Sequence, residues 1–136
     1  MVPRALESLR AMNLCLVTRE YPPNPLGGIG TYVVNFCRLL ARAGHEVTVL
    51  TQSSPDIPEA GLDQPVLNGE GIRVYYLPFV GPRWELLPAA AGSPAARALA
   101  RLDIAASFAQ IAADALEVVV PRHGIELVEG AEYEAP

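Results

Sequence analysis

The chain has 136 residues, about one domain's worth, and is 51% hydrophobic against 18% charged, which excludes a disordered or purely solvated polypeptide. Fifteen acids outnumber ten cations for a net charge of -5, so the clustered cations that neutralise nucleic-acid phosphates are not expected. All ten cations are arginine; without lysine there is no Schiff-base chemistry and no Walker-type phosphate loop ending in Lys-Ser or Lys-Thr.

Met1 to Ala11 reads as an extension ahead of the fold, with Met12 as an alternative start or the segment as a short surface helix. The apolar run after Arg10 is short and meets Arg19 and Glu20 rather than small residues, which fits a secretory signal badly. No apolar stretch approaches the roughly eighteen residues of a membrane span. The two cysteines are too few for a disulfide framework: Cys15 falls in an apolar strand-like run and Cys37 on the apolar face of a helix, so both read as buried free thiols. A reducing, cytoplasmic location follows as the expectation.

Asn13 to Thr18 is a near-continuous apolar run of strand length, the pattern of a central strand covered on both faces. Arg19 to Ile29 follows as a turn-rich loop with three prolines and two adjacent glycines. From Gly30 to Ala43 the spacing is helical, with Thr31, Asn35, Arg38 and Arg42 on one face and Val33, Phe36, Cys37 and Leu40 on the other. Gly44 then stands where helices turn left-handed and stop. Val47 to Thr51 predicts a second strand. Ser53 to Gly71 reads as a polar connection, Ile72 to Leu77 as a third strand, and Pro78 to Pro94 as an irregular loop carrying Trp84. A helix over roughly Ala95 to Val119 presents Leu102, Ala105, Phe108, Ala112 and Leu116 on one face, and Pro121 must end or kink it. A fourth strand, Ile125 to Glu129, precedes an acidic tail.

Strands separated by helical segments predict an α/β fold with an open, mostly parallel, Rossmann-like sheet. Right-handed crossovers give the strand order 3-2-1-4. The ligand crevice then lies at the C-terminal ends of strands one and four, where the order reverses. The first of these ends carries Gly27-Gly28-Ile29-Gly30, which leads into a helix. Such a loop lets the backbone approach a ligand, and the unpaired N–H groups with the positive helix end suit a phosphate; the same glycines would equally serve a plain turn and cap. A dinucleotide fingerprint is not met. The position of its third glycine is Val33, the preceding loop is too long, and Leu50-Thr51-Gln52 carries no acid at the end of the second strand. No NAD is therefore expected.

The run Met12 to Thr51 resembles the start of a family 4 glycosyltransferase, a retaining enzyme of the GT-B fold of the glycogen and starch synthase type. The linked pieces are Tyr21-Pro22-Pro23, Gly27-Gly28-Ile29-Gly30 and Gly44-His45-Glu46-Val47. Gly124 to Glu134 is similar to that family's fourth strand and following loop. The resemblance implies an N-terminal, acceptor-side domain over residues 12–136, with no cofactor beyond a nucleotide-sugar co-substrate. It assigns Gly27, Gly28 and Gly30 to the donor diphosphate, Gly28 foremost, and Arg19, Glu20, Tyr21, Thr31, Glu132 and Tyr133 to the acceptor. Arg19 as a surface cation, Tyr21 as a packing aromatic and Glu132 as a solvated tail charge are the structural alternatives. His45 reads as a junction residue and His123 as an exposed loop histidine.

The resembled fold needs two Rossmann-like domains with the active site between them, and donor recognition belongs mainly to the second. The expectation is therefore a truncated first domain, inactive in sugar transfer without the missing C-terminal domain or a partner chain. A gene fragment, a split subunit and a small non-catalytic nucleotide- or anion-binding α/β module all remain open. With only arginines available, few of them near the loop, phosphate contacts would come chiefly from backbone N–H groups.

Overall fold

The computed structural model describes residues 10–24, 26–53, 64–78 and 94–130, with side chains in the last segment from residue 106 onward. The elements are β1 (Asn13–Val17), α1 (Gly28–Arg42), β2 (Glu46–Gln52), β3 (Val66–Leu67), β4 (Arg73–Leu77), α2 (Pro94–His123) and β5 (Leu127–Gly130). They form a five-stranded sheet in the order β3-β4-β2-β1-β5. Four of the strands, β4, β2, β1 and β5, run parallel to one another, which is the expected 3-2-1-4 arrangement.

The short strand β3 corrects the sequence reading, which left its residues in a connection. It pairs antiparallel with β4 through Val66 opposite Val74 and Leu67 opposite Arg73. Its cause is local. The Asn68 side chain accepts hydrogen bonds from the N–H groups of Glu70 and Ile72, at 2.9 and 3.0 Å, and Gly71 takes a positive φ of 79° that closes the hairpin.

Alternation along the strands sends side chains to two cores. Leu16, Val47, Val49 and Val74 meet Val33 and Cys37 of α1 on one face. Cys15, Leu50, Tyr75 and Leu77 meet Phe108, Ala112, Ala115 and Val119 of α2 on the other. Both thiols are buried and free, and burial pushes each up to about 12, which keeps them protonated and unreactive at neutral pH. Among the described residues β5 has only β1 as a neighbour, and all four of its residues are exposed.

The helix ends follow the expected chemistry with one difference. Gly44, at φ 94°, takes the left-handed position after α1. The N–H of Met12 donates to His45 Nδ1 at 3.0 Å, so His45 joins the start of β1 to the helix–strand junction. Pro121 does not stop α2, which runs on to His123 and closes at Gly124, φ 61°. Val120 O accepts from Ile125 N–H at 3.0 Å across that end. The two ends of the described chain meet here. Asn13 N–H donates to Glu126 Oε2 at 2.9 Å, Asn13 Nδ2 donates to His123 O at 3.0 Å, and Arg10 pairs with Glu126.

His123 is therefore not a free loop residue. It is half-buried, with its Nε2 2.6 Å from the Tyr75 hydroxyl. Burial, then the charges of Arg73 and Arg122, hold its pKa below the ordinary 6.5, against a smaller opposing effect of Glu46. A depressed histidine favours the neutral ring in the fold, so it contributes stability above its ordinary pKa and loses it as pH falls through the lowered native value. The melting temperature is expected to fall between pH 7.5 and 5.5, and to fall less in His123→Gln; equal declines in both proteins would refute the assignment. Glu126, whose pKa is lowered by the Asn13 N–H bond and Arg10, acts in a separate window below the ordinary carboxylate range.

Candidate functional site

The strand order reverses at β1, which has β2 on one side and β5 on the other. Such switch points open a crevice beyond the strand ends. Val17 and Gly130 lie side by side in register, so the end of β5 sits next to the loop of residues 18–27.

This loop is fastened to the sheet at several points. Thr18, fully buried, donates its N–H to Leu50 O of β2 at 3.0 Å. Its hydroxyl accepts from Glu20 N–H at 3.1 Å and donates to Glu20 O at 3.2 Å. The Asn24 amide donates to Gln52 O at 2.8 Å, at the end of β2, and the Tyr76 hydroxyl donates to Pro22 O at 2.6 Å, near the end of β4. The Pro22–Pro23 peptide is cis. Tyr21 is packed into the core on the α1 side, at 5% exposure, and burial pushes its phenol up to about 12. In this structure it packs rather than presents a surface, as a member of the core cluster that includes Val33 and Cys37.

The glycine loop enters α1 directly, with Gly27 as the N-cap and no side-chain cap of its own. Gly27 O accepts from both the N–H and the hydroxyl of Thr31, at 3.1 and 2.9 Å. A helix start leaves its opening N–H groups without intrahelical partners. Two of these donate to one oxygen of Glu20: Gly27 N–H at 2.9 Å and Gly30 N–H at 2.8 Å. The Glu20 carboxylate is thus turned onto the loop. Arg19 is half-buried beside it, and Thr31 is exposed on the first turn.

The three glycines differ in what surrounds them. A Cβ on Gly30 would stand 2.8 Å from both Glu20 Cβ and Leu26 Cδ2, and one on Gly27 would stand 3.2 Å from each Glu20 carboxylate oxygen. Gly28 is exposed, and among the described residues nothing beyond its chain neighbours and its own helix backbone lies within 4 Å of its Cβ position. Glu132 and Tyr133 lie outside the described residues, as do most of the connections after β2 and β4. The residues that hold the loop, Thr18, Asn24 and Tyr76, carried no signal beyond the turn-forming Pro-Pro-Asn-Pro run. Among the described residues no three His, Cys, Asp or Glu side chains gather to hold a metal ion, and no helix is long and apolar enough to cross a membrane.

A parallel sheet whose order reverses beside a glycine-rich strand–helix junction defines an open α/β domain of Rossmann-like class. A family described as glycosyl transferase 4-like domain matches residues 27–129, and the chain belongs to that family. Two proteins named glycogen synthase, from two strains of Mycobacterium tuberculosis, are each 44% identical to it over 41 residues, 30% of this chain. The matched segment spans about 10% of the length of those relatives. No solved structure matches the chain.

Proposed function

We propose that this chain is the acceptor-side, N-terminal part of a retaining glycosyltransferase of GT-B architecture, taking a hexosyl group from a nucleotide-sugar. Membership of the glycosyl transferase 4-like family supports the reaction class. The observation that carries the site is the open, exposed Gly28 at the start of α1, next to the switch point of the sheet. In this reading the donor diphosphate lies against the Gly27–Gly30 backbone with Gly28 as closest approach, and Arg19 and Thr31 face the acceptor. The Gly27 and Gly30 N–H groups already donate to Glu20, so in this reading the Gly28 and Ile29 N–H groups meet the phosphate; fixed in place at the helix start, they would stabilise charge developing on the leaving group without reorganising. A second domain, or a partner chain, supplies the nucleotide pocket, and this chain alone does not transfer sugar. Two buried free thiols support a cytoplasmic setting.

The test has two arms. Isothermal titration of the 136-residue chain with nucleoside diphosphates is expected to show no tight binding; tight binding would instead favour a stand-alone nucleotide-binding module. In an enzyme completed by its second domain, Gly28→Val is expected to abolish transfer while the urea midpoint of the chain carrying it shifts little, because the added atoms enter open space. Normal turnover would remove Gly28 from the site.

A further inference from the structure

Glu20 answers a question that the glycines pose. We propose that Glu20 is a positioning residue, which shapes the glycine loop through its carboxylate and does not contact the acceptor. The inference rests on the reading of this loop as the diphosphate-facing element, and it redistributes roles within it.

The geometry gives Glu20 three connections. Its backbone is fixed on both sides by the buried Thr18 hydroxyl. Its Oε2 accepts from Gly27 N–H and Gly30 N–H, seven and ten positions further along. Its Cβ and carboxylate occupy the space that side chains at 27 and 30 would need. One side chain therefore closes the whole loop onto the end of β1. Glu20 crowds two of the three glycines: at Gly30 its stem passes within 2.8 Å of where a Cβ would be, which forces a shift, and at Gly27 its carboxylate lies 3.2 Å away, so an added Cβ would have to push it aside. Of the three, only Gly28 has no such neighbour among the described residues, which leaves its face of the loop open to a ligand.

Reach and charge make opposite predictions here. The carboxamide of Glu20→Gln keeps the length and an oxygen acceptor without the charge. Glu20→Asp keeps the charge but falls one methylene short. If Glu20 shapes the loop, Gln restores it and Asp does not; a residue acting through its charge, on an acceptor or on solvent, would show the reverse.

The experiment is amide NMR of the 136-residue chain, unmodified and as Glu20→Gln, Glu20→Asp and Glu20→Ala, each titrated with inorganic pyrophosphate. In Gln the Gly27 and Gly30 amides are expected to stay near their original shifts. In Asp and Ala both should move and exchange at least about tenfold faster, since their bonds to the carboxylate are open. The pyrophosphate-induced shift at Gly28 should persist in Gln and disappear in Asp and Ala, while dispersed core resonances report that each variant is folded. A second measurement covers variants that fail to fold: in the Glu20→Ala background the stability cost of Gly27→Ala should vanish, because the clashing carboxylate is gone. Asp behaving as the unmodified chain, with Gln behaving as Ala, would overturn the proposal, as would a Gly27→Ala cost unchanged by removing Glu20. If the amide pattern appears as expected but pyrophosphate never moves Gly28, the diphosphate reading of the loop fails and the positioning of the loop by Glu20 stands.

Discussion

Truncating Phe108 to alanine is expected to cost the fold about 3–5 kcal/mol, the range for removing a buried aromatic side chain. Phe108 is 4% exposed and sits in the core between α2 and the sheet. Its neighbours on the same helical face, at the spacing i, i+4, i+7 and i+11, are Ala112, Ala115 and Val119. Two alanines let the helix approach the sheet closely but bury little area themselves. Phe108 is therefore the large apolar anchor among the described side chains of α2, meeting a core formed by Cys15, Leu50, Tyr75 and Leu77. A domain of ordinary stability holds only about 5–15 kcal/mol in reserve, so this single change should remove about a fifth of it or more. Urea denaturation followed by far-ultraviolet circular dichroism measures the loss. A change under about 1.5 kcal/mol, smaller than cavity formation at a buried aromatic should produce, would mean that α2 is not docked through this residue.

Valine in place of Gly30 is expected to destabilise by about 3–5 kcal/mol, in contrast to the mild effect of valine at Gly28. Gly30 is buried, and its missing Cβ would fall 2.8 Å from Glu20 Cβ and 2.8 Å from Leu26 Cδ2. The Leu26 side chain is partly exposed and can swing away, whereas Glu20 Cβ is fixed by a backbone tied to Thr18. Overpacking of this kind costs about 1–3 kcal/mol. Pushing the carboxylate off the Gly27 and Gly30 donors adds about 1.5–3 kcal/mol for lost charge-assisted bonds, while better helix propensity returns a few tenths. The check is a pair of urea midpoints, Gly28→Val against Gly30→Val, on the same chain. Equal midpoints would show that Glu20 is not seated on the loop.

The centre of the parallel sheet was legible because β1 and β2 are buried on both faces and so read as short, near-continuous apolar runs, Asn13–Val17 and Glu46–Gln52. The stop of α1 was legible because Gly44 has a conformation that side chains rarely adopt. β3 was missed because its two residues are both exposed and too few to show a period. An Asn-Gly pair at 68–69, ahead of a good strand, was the signal that would have found it. The glycine loop itself stood out, with Gly28 foremost by resemblance, but the different surroundings of Gly27, Gly28 and Gly30 did not. That distinction depends on a glutamate seven and ten positions upstream folding back onto the helix start, and no spacing rule encodes such a return. Tyr21 illustrates the same gap: an aromatic in a crevice loop reads alike whether it lines the crevice or, as here, packs beneath it.

The latch at Asn13 and Glu126 also sets a schedule for the ribosome. β1 exchanges backbone and side-chain bonds with a segment 113 positions later in the chain, so its outer edge has no native partner until nearly all of the described sequence has been made. At about 5–20 residues per second of synthesis, that edge waits roughly 6–20 s with the apolar Cys15 and Leu16 beside it. α2 and β5 arrive together at the end of that interval, supplying in one step the cover for one face and the partner for the edge. During the wait the nascent chain offers an open strand edge, a template for strand addition by other chains.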